Sequence, residues 1–470
     1  MVEYAQEIRR ARQHGQDHIF RFWKELDVAQ QKKLLLQAAS IDYELIEKQY
    51  QQEDKPVQEG HIEPPVLLSK EDQGKKRDAA LDLGEKAIEN GELALFTVAG
   101  GQASRLGFDG PKGCFKATPV KRKPIFQILA ERILAFEKKH HCNFQWYIMT
   151  SKANDAYTKA FFYNNEYFGL SADQIFFFSQ DMIPAIDRNG KLLLKEKDEI
   201  FMNPNGTGGI YDALVTSGSL NRMKRNGIKY LSYFQIDNPL IDFIDPLFLG
   251  YHIQERAEMS TKVVEKQYPE EKVGLVVNKD GKTSMIEYFM LPEKMAQEKE
   301  VDGKLKYRAA NIAMHIINLD FIENISEQDL LSYHKSAKSI PHLDEDGKRV
   351  IPESKNGFKF ERLVFDVLDQ AKHSVTYSVK REEEFAPIKN ASGKDSPKSA
   401  IRIQNELYRS WLENASITVP EMLVDIEISP LYALDRKEFT LKSQGLQSDI
   451  SRMLEGKRSF YFGKNFSLKK

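Results

Sequence analysis

Apolar and polar positions follow three different rhythms along the chain. In residues 1–50 Phe20, Phe22, Trp23, Leu26 and Val28, then Leu34, Leu35, Leu36, Ile41 and Ile46, recur near helical spacing in a polar background. That spacing predicts two or three amphipathic helices. Residues 51–66 carry Pro56, Pro64 and Pro65 with few packing residues and read as a connector; a helix is expected at 77–90. From residue 93 short apolar runs alternate with amphipathic stretches. The runs 93–99, 144–149, 174–179 and 230–236 predict strands, and 124–139, 153–167 and 209–226 predict helices, the first with Pro124 in its opening turn. This alternation predicts an α/β fold whose mostly parallel sheet is covered on both faces. Ligands in such folds bind at the carboxyl ends of strands. From about residue 260 the pattern shifts to antiparallel pairing. Lys279-Asp280-Gly281 between two alternating runs predicts a hairpin, with further strands at 310–319 and 374–379. Residues 389–399 are polar and contain Gly and Pro, as a mobile loop and domain boundary would, and a helix is expected at 401–413.

Composition narrows the class. The 470 residues are 41% hydrophobic and 29% charged, enough for a sizeable core. Mean hydropathy is −0.51, and no run approaches the roughly 18 apolar residues of a membrane span. Lys plus Arg number 68 against 69 for Asp plus Glu. A net charge of −1 argues against a general polyanion-binding surface, so neither nucleic acid nor membrane is expected as a partner. The first residues contain no apolar signal core. The two cysteines, Cys114 and Cys142, are too few for a disulfide scaffold. A cytoplasmic protein with reduced thiols is expected.

The chemistry concentrates after the predicted strands. Val98-Ala99-Gly100-Gly101-Gln102-Ala103-Ser104-Arg105-Leu106-Gly107 is followed by Gly110-Pro111-Lys112-Gly113. Glycines after a buried strand let the backbone approach a phosphate, whose oxygens exposed N–H groups can cradle. Arg105 and Lys112 would add charge-assisted contacts to a triphosphate. The spacing fits neither the P-loop nor G-x-G-x-x-G, so a P-loop kinase and a nicotinamide dehydrogenase both lose ground. A second glycine-rich stretch, Asn205-Gly206-Thr207-Gly208-Gly209, precedes a predicted helix; alone it fits a plain turn as well as a ligand loop. Asp237 in Gln235-Ile236-Asp237-Asn238-Pro239 ends a predicted strand, where a carboxylate can hold Mg²⁺ or simply form an Asx turn. His140-His141 reads as a helix end, Asp344-Glu345-Asp346-Gly347 as a turn, Phe176-Phe177-Phe178 as core strand, and Lys469-Lys470 as a solvated tail.

These residues resemble the eukaryotic-type UDP-N-acetylhexosamine pyrophosphorylases, within the wider UDP-sugar pyrophosphorylase group. VAGGQASRLG with GPKG matches that family's first signature. Collinear blocks follow: Trp146-Tyr147-Ile148-Met149-Thr150-Ser151, Phe177-Phe178-Ser179-Gln180, residues 206–211, Asp237-Asn238, Val263-Val264-Glu265-Lys266, Ile286-Glu287-Tyr288, Ala310-Asn311-Ile312-Ala313 and Phe385-Ala386-Pro387-Ile388-Lys389-Asn390. The resemblance implies a helical N-terminal domain (1–90), a central doubly wound, Rossmann-like and GT-A-like nucleotidyltransferase domain (91–388) and a small α+β C-terminal domain (389–470). It also implies residue roles. Gly100, Gly101, Gln102, Gln180, Gly206 and Lys359 would contact the nucleotide. Arg105 and Lys112 would act on its phosphates, with Lys389 on the sugar phosphate. Asp237 would hold Mg²⁺, and Thr207, Glu287, Tyr288, Asn311 and Lys389 would face the sugar.

The reaction implied is UTP plus a sugar 1-phosphate giving a UDP-sugar and pyrophosphate, by in-line attack on the α-phosphorus. The nucleophile is already anionic, so positioning and charge neutralisation suffice, and no His or Cys nucleophile is required. N-acetylglucosamine 1-phosphate is the expected sugar. Thr207 stands where the family has a sugar-contacting Asn, and Asn205 where it has an Asp, which keeps UDP-glucose or a broad sugar range open. A non-catalytic UDP-sugar binder and a glycosyltransferase are the rival classes. A monomer or weak homo-oligomer is expected.

Overall fold

Three largely buried apolar runs and a fourth, half-buried one become neighbouring parallel strands in the computed structural model, which describes residues 2–52 and 60–467. Pro56 of the connector and the Lys469-Lys470 tail lie outside the described residues. The strands of the main sheet are β1 (Ile62–Glu63), β2 (Leu67–Ser69), β3 (Leu93–Val98), β4 (Trp146–Thr150), β5 (Ile175–Ser179), β6 (Tyr230–Gln235), β7 (Met259–Glu265), β8 (Leu275–Lys279), β9 (Lys282–Ile286), β10 (Ala309–Asn318) and β11 (Thr376–Ser378). Among the described residues their order is β2-β11-β7-β10-β6-β3-β4-β5, with β8 joining β1, β9 and β10 at the side. The pairs β6–β3, β3–β4, β4–β5, β7–β11 and β2–β11 are parallel; β10 runs antiparallel between β6 and β7. The sheet is therefore mostly parallel, as the alternation predicts. Every residue of β4 is buried, the pattern of a strand covered on both faces. Its one polar ring atom is satisfied, Trp146 Nε1 donating to Thr97 Oγ1 at 2.7 Å.

The chain groups into two units, each discontinuous in sequence: Met1–Glu59, Gln180–Ala213 and Asp329–Val367 in the first, Gly60–Ser179, Leu214–Gln328 and Leu368–Lys470 in the second. In the first, the helices Val2–Gln13, Val28–Ala39 and Tyr43–Gln51 share a core with Ile183, Ile186, Leu194, Ile200 and Phe360. Asp27 opens the second of these helices with a capping box. Leu34, Ile41 and Ile46 are core residues, whereas Val28 and Leu36 are exposed. Gly357–Glu361 pairs with His334–Lys338 on one side and Ile186–Asp187 on the other.

In the second unit the main sheet carries a core of helix and strand residues that includes Leu95, Phe126, Ile148, Phe234 and Phe248. The helices Lys75–Glu89 and Pro246–Gln254 meet through two glycines. A Cβ on Gly84 would lie 1.7 Å from the Pro246 oxygen, and one on Gly250 1.6 Å from the Ala80 oxygen. The expected helix 209–226 is two helices, Ile210–Thr216 and Ser219–Arg225, because Gly218 between them has φ +71°. The hairpin β8–β9 turns at Asp280 and Gly281, both at positive φ, as a two-residue loop requires. The helix expected at 401 begins at Pro397, capped by Ser396. Residues near the C-terminus hold a further core of Leu423, Ile426, Phe439, Ile450 and Phe462. Cys114 and Cys142 are buried free thiols. No helix among the described residues is long and apolar enough to cross a membrane.

Candidate active site

Strand order decides where chemistry can sit. From β3 the chain steps outward to β4 and β5, then returns to β6 on the other side of β3. The loops after β3 and β6 therefore flank the point where the direction of winding reverses, the crevice that receives ligands in such sheets. In register Val98 pairs with Gln235 and with Met149, and Ile236 N–H donates to the Val98 oxygen at 3.2 Å. Gly100 and Asp237 thus leave adjacent strand ends together.

The loop after β3 is held from within and from the side. Lys112 N–H donates to the Gly101 oxygen at 3.0 Å and Ala103 N–H to the Gly110 oxygen at 2.9 Å, closing residues 101–112 on themselves. Asn154 Nδ2 donates to the Ala99 oxygen and Ser151 Oγ to the Gly100 oxygen, each at 2.9 Å. Gln102 Nε2 reaches the Ala153 oxygen at 3.4 Å. Gly113 is pressed on Phe126, whose ring would lie 2.2 Å from a Cβ there, whereas space around Gly101 is open. Arg105 is exposed and Lys112 half-buried, and among the described residues neither charged group has an ion-pair or hydrogen-bond partner. Two uncompensated cations on a braced glycine loop suit a polyanion.

The loop after β6 brings in Lys389. Asn238 is buried; its Nδ2 donates to the Glu384 oxygen at 2.7 Å and its Oδ1 accepts from Ala386 N–H at 3.0 Å. Ile388 N–H donates to the Asp237 oxygen at 2.8 Å. The residue preceding Lys389 is thereby fastened to Asp237. The Asp237 carboxylate is half-buried and, among the described residues, has no side-chain partner, which fits a cation ligand.

Across β10 the strand is bulged: Thr261 faces His315 but Val263 faces Asn311, and Ala313 within the bulge takes φ +57°. Asn311 Oδ1 accepts from Ala313 N–H at 2.8 Å and from Thr261 Oγ1 at 3.3 Å, leaving its Nδ2 without an acceptor among the described residues. Asn311 N–H donates to the Gly274 oxygen at 2.9 Å. Leu275 pairs with both Ala310 and Ile286, so Glu287 and Tyr288 follow a strand end beside Asn311.

Gln180, Gly206, Thr207 and Lys359 lie in the other unit. Gly206 takes φ +83° and its Cβ position lies 2.3 Å from the Arg362 oxygen. Gly208 N–H donates to that oxygen at 2.8 Å and Arg362 N–H to the Asn205 oxygen at 2.9 Å. Thr207 Oγ1 accepts from Val364 N–H at 3.2 Å, so the hydroxyl braces the loop. Gln180 is buried. Lys359 lies 4.9 Å over Phe201, and burial, with Lys338 nearby, lowers its pKa.

Some organising residues carry no local sequence signal. Arg362 bonds Asp212 at 2.7 Å and Asp329 at 2.5 Å and stacks over Tyr333. Asp242, Asp245 and Glu384 converge within 4.8 Å, yet they form an ionic network. Lys262 Nζ lies 2.9 Å from Asp245 and 2.8 Å from Glu384, and Lys70 Nζ 2.8 Å from Glu384. Burial alone would raise the Asp245 pKa, but the two lysines hold it below the usual carboxylate range. Asp344 takes the expected turn role, its Oδ1 accepting from Asp346 and Lys348 N–H groups. His140 ends its helix against Phe136, with rings 4.7 Å apart.

Residues 42–469 match the UTP--glucose-1-phosphate uridylyltransferase family model. The chain is 34% identical to the Arabidopsis thaliana UDP-N-acetylglucosamine diphosphorylase 2, over 90% of this chain and 88% of that one. It is 34% identical to the Saccharomyces cerevisiae UDP-N-acetylglucosamine pyrophosphorylase, over 89% and 93%. The crystal structure of the Trypanosoma brucei uridine diphosphate N-acetylglucosamine pyrophosphorylase superposes with TM-score 0.82 at 27% identity, covering 99% of each chain. With the glycine loop at the winding reversal and this match along nearly the whole length, the chain belongs to the UTP–glucose-1-phosphate uridylyltransferase family, and within it to the UDP-N-acetylhexosamine pyrophosphorylases.

Proposed function

We propose that this enzyme transfers the uridylyl group of UTP to a sugar 1-phosphate, N-acetylglucosamine 1-phosphate foremost, releasing pyrophosphate. The observation that carries the reading is the pair of cations, Arg105 and Lys112, that have no partner among the described residues and stand on a braced glycine loop whose strand end adjoins that of Asp237. In this reading Gly100, Gly101 and Gln102 line the nucleotide. Arg105 and Lys112 neutralise the charge that develops on the departing pyrophosphate, and Lys389 draws the sugar phosphate into line. A phosphate oxygen forms the new P–O bond as the α–β bridging bond breaks, and its existing charge makes a protein base unnecessary. Asp237 would hold Mg²⁺, which supplies further neutralisation of the phosphate oxygens. Glu287, Tyr288 and the Asn311 amide would face the sugar. The nucleotide roles of Gln180, Gly206 and Lys359, and the sugar role of Thr207, rest on the likeness of their motifs. We place the reaction in the cytoplasm, with the enzyme a monomer or weak homo-oligomer; the two free thiols are compatible with that compartment.

One observation favours a second reading, a wider sugar range. The Thr207 hydroxyl already accepts a backbone N–H, and a threonine offers no amide to an N-acetyl group. Pyrophosphate release from UTP and Mg²⁺, run in parallel with N-acetylglucosamine 1-phosphate and glucose 1-phosphate, tests both. Release with the N-acetyl sugar is expected. Release with both sugars would establish the wider range, and release with glucose 1-phosphate alone would make the enzyme a UDP-glucose pyrophosphorylase. UTP binding without release with either sugar would overturn both.

A further inference from the structure

Lys389 stands on a turn with little packed behind it. Ala391, Ser392, Gly393 and Lys394 are exposed, and the turn borders a cavity of about 1290 Å³ lined also by Arg402 and Arg409. Within the turn, the N–H groups of Lys389 and Asn390 donate to the Asp395 oxygen at 2.6 and 2.9 Å, and Asn390 Nδ2 donates to the Lys394 oxygen at 2.9 Å. These bonds give the turn its shape and leave it unattached.

Two side chains attach it through Lys394: Tyr268, whose hydroxyl Lys394 Nζ reaches at 3.3 Å and over whose ring it lies at 5.2 Å, and, more tightly, the Glu271 carboxylate. Glu271 is 3% exposed. It accepts from Lys394 Nζ at 2.7 Å, from Arg381 Nη2 at 3.1 Å and from Gln267 N–H at 2.9 Å. Arg381 precedes Lys389 in the chain and Lys394 follows it, so a single side chain grips both flanks of the lysine. Arg381 also donates to the Glu265 oxygen at 3.2 Å and lies 5.1 Å over Phe385, the ring over which Lys389 Nζ sits at 6.0 Å. The loop that carries Glu271 continues to Gly274, whose oxygen holds the N–H of Asn311. Glu271 therefore ties together the backbone supports of both proposed sugar-phosphate residues, Lys389 and Asn311. Its own pKa shows a settled ion cluster: burial would raise it, and Lys394, the Gln267 N–H and Arg381 bring it below the ordinary value.

We propose that Glu271 is a positioning residue for the sugar 1-phosphate: by latching Arg381 and Lys394 it holds Lys389 and Asn311 in one arrangement. This rests on the uridylyltransfer reading above. The latch acts on one substrate only, because the β3 loop of the nucleotide is braced separately by Ser151 and Asn154.

The test uses Lys394→Ala, which removes an exposed donor and leaves the core intact, beside Glu271→Gln and the conservative Lys394→Arg. Pyrophosphate release is measured with each substrate varied in turn. Lys394→Ala and Glu271→Gln are expected to lower kcat/KM for the sugar 1-phosphate about 10-fold or more, with KM for UTP within about two-fold of wild type, and Lys394→Arg to restore most of the loss. Wild-type kinetics in Lys394→Ala, or an equal loss for both substrates, would overturn the proposal. Hydrogen exchange of residues 389–396 separates this from failure of the functional reading. If the wild-type enzyme turns over no sugar phosphate, the functional reading fails by itself. The latch is then upheld by faster exchange in Lys394→Ala and overturned by unchanged exchange.

Discussion

Gly206→Ala should open the loop that Arg362 braces. Gly206 takes φ +83° and ψ −179°, a region nearly closed to residues with a Cβ, costing about 2 kcal/mol. The added Cβ would lie 2.3 Å from the Arg362 oxygen and 2.9 Å from its nitrogen, and both are main-chain atoms that no rotamer can move aside. Relief requires the two segments to part. That breaks the bonds from Gly208 N–H to the Arg362 oxygen and from Arg362 N–H to the Asn205 oxygen, each worth about 1 kcal/mol. Together the loss is about 4 kcal/mol, roughly a thousand-fold in the local opening constant at 1.4 kcal/mol per decade. Hydrogen exchange of peptides covering 203–210 and 359–364 measures that opening directly, and KM for UTP should rise in parallel. Gly218→Ala is the control: its φ of +71° costs an alanine about 1 kcal/mol, but among the described residues nothing beyond its own chain neighbours lies within 4 Å of the new Cβ. If Gly206→Ala exchanges no faster than wild type around Arg362, or no more than the Gly218→Ala variant does around its own site, the steric reasoning is wrong.

Three further outcomes follow from the same geometry. Lys112→Ala should lower kcat by about 100-fold with folding retained, because its ammonium has no partner among the described residues to lose; turnover near wild type would remove it from catalysis. Asp237→Ala should abolish Mg²⁺-dependent pyrophosphate release while thermal unfolding stays within a few degrees of wild type, since the carboxylate has no side-chain partner among the described residues; retained metal-dependent activity would place the metal elsewhere. Buried His252 should make stability acid-sensitive. Burial lowers its pKa from 6.5 to about 4, so the unfolded chain binds the proton first and stability falls as pH drops from 6.5 towards 4, by about 3 kcal/mol. Urea midpoints across that range should show the decline, and His252→Gln should flatten its share of it; identical slopes in the two proteins would contradict the assignment.

Much of the fold and part of the site could be read along the chain, for a shared reason: the signals are local. A buried run ending in Gly100 and Gly101 marks a strand followed by a close-approach loop, and Asp237 follows another buried run, 230–236. Strand boundaries fell within a residue or two because burial on both faces demands continuous apolar runs. The one long helix expected at 209–226 failed at Gly218, whose positive φ outweighed the helical spacing around it. Val28 and Leu36 matched a helical stripe yet face solvent, since periodicity identifies a face without saying what covers all of it.

The sequence by itself determined the α/β class, the glycine loop with Arg105 and Lys112, the strand-end carboxylate and the family. The first three depend on neighbours within a few residues, where covalent geometry and side-chain period govern, and the family on the collinear order of such local blocks. Tertiary structure alone decided that β6 returns to the far side of β3 and brings Asp237 to the glycine loop. It alone placed residues 180–213 and 329–367 with the N-terminal helices. It also turned Asn311 through a bulge, filled the carboxylates of Asp242, Asp245 and Glu384 with two lysines, and set Glu271 on both flanks of Lys389. Those contacts join residues distant in sequence. A buried charge meets its partner only after the strands have chosen their order, and that choice belongs to the packing of the whole sheet.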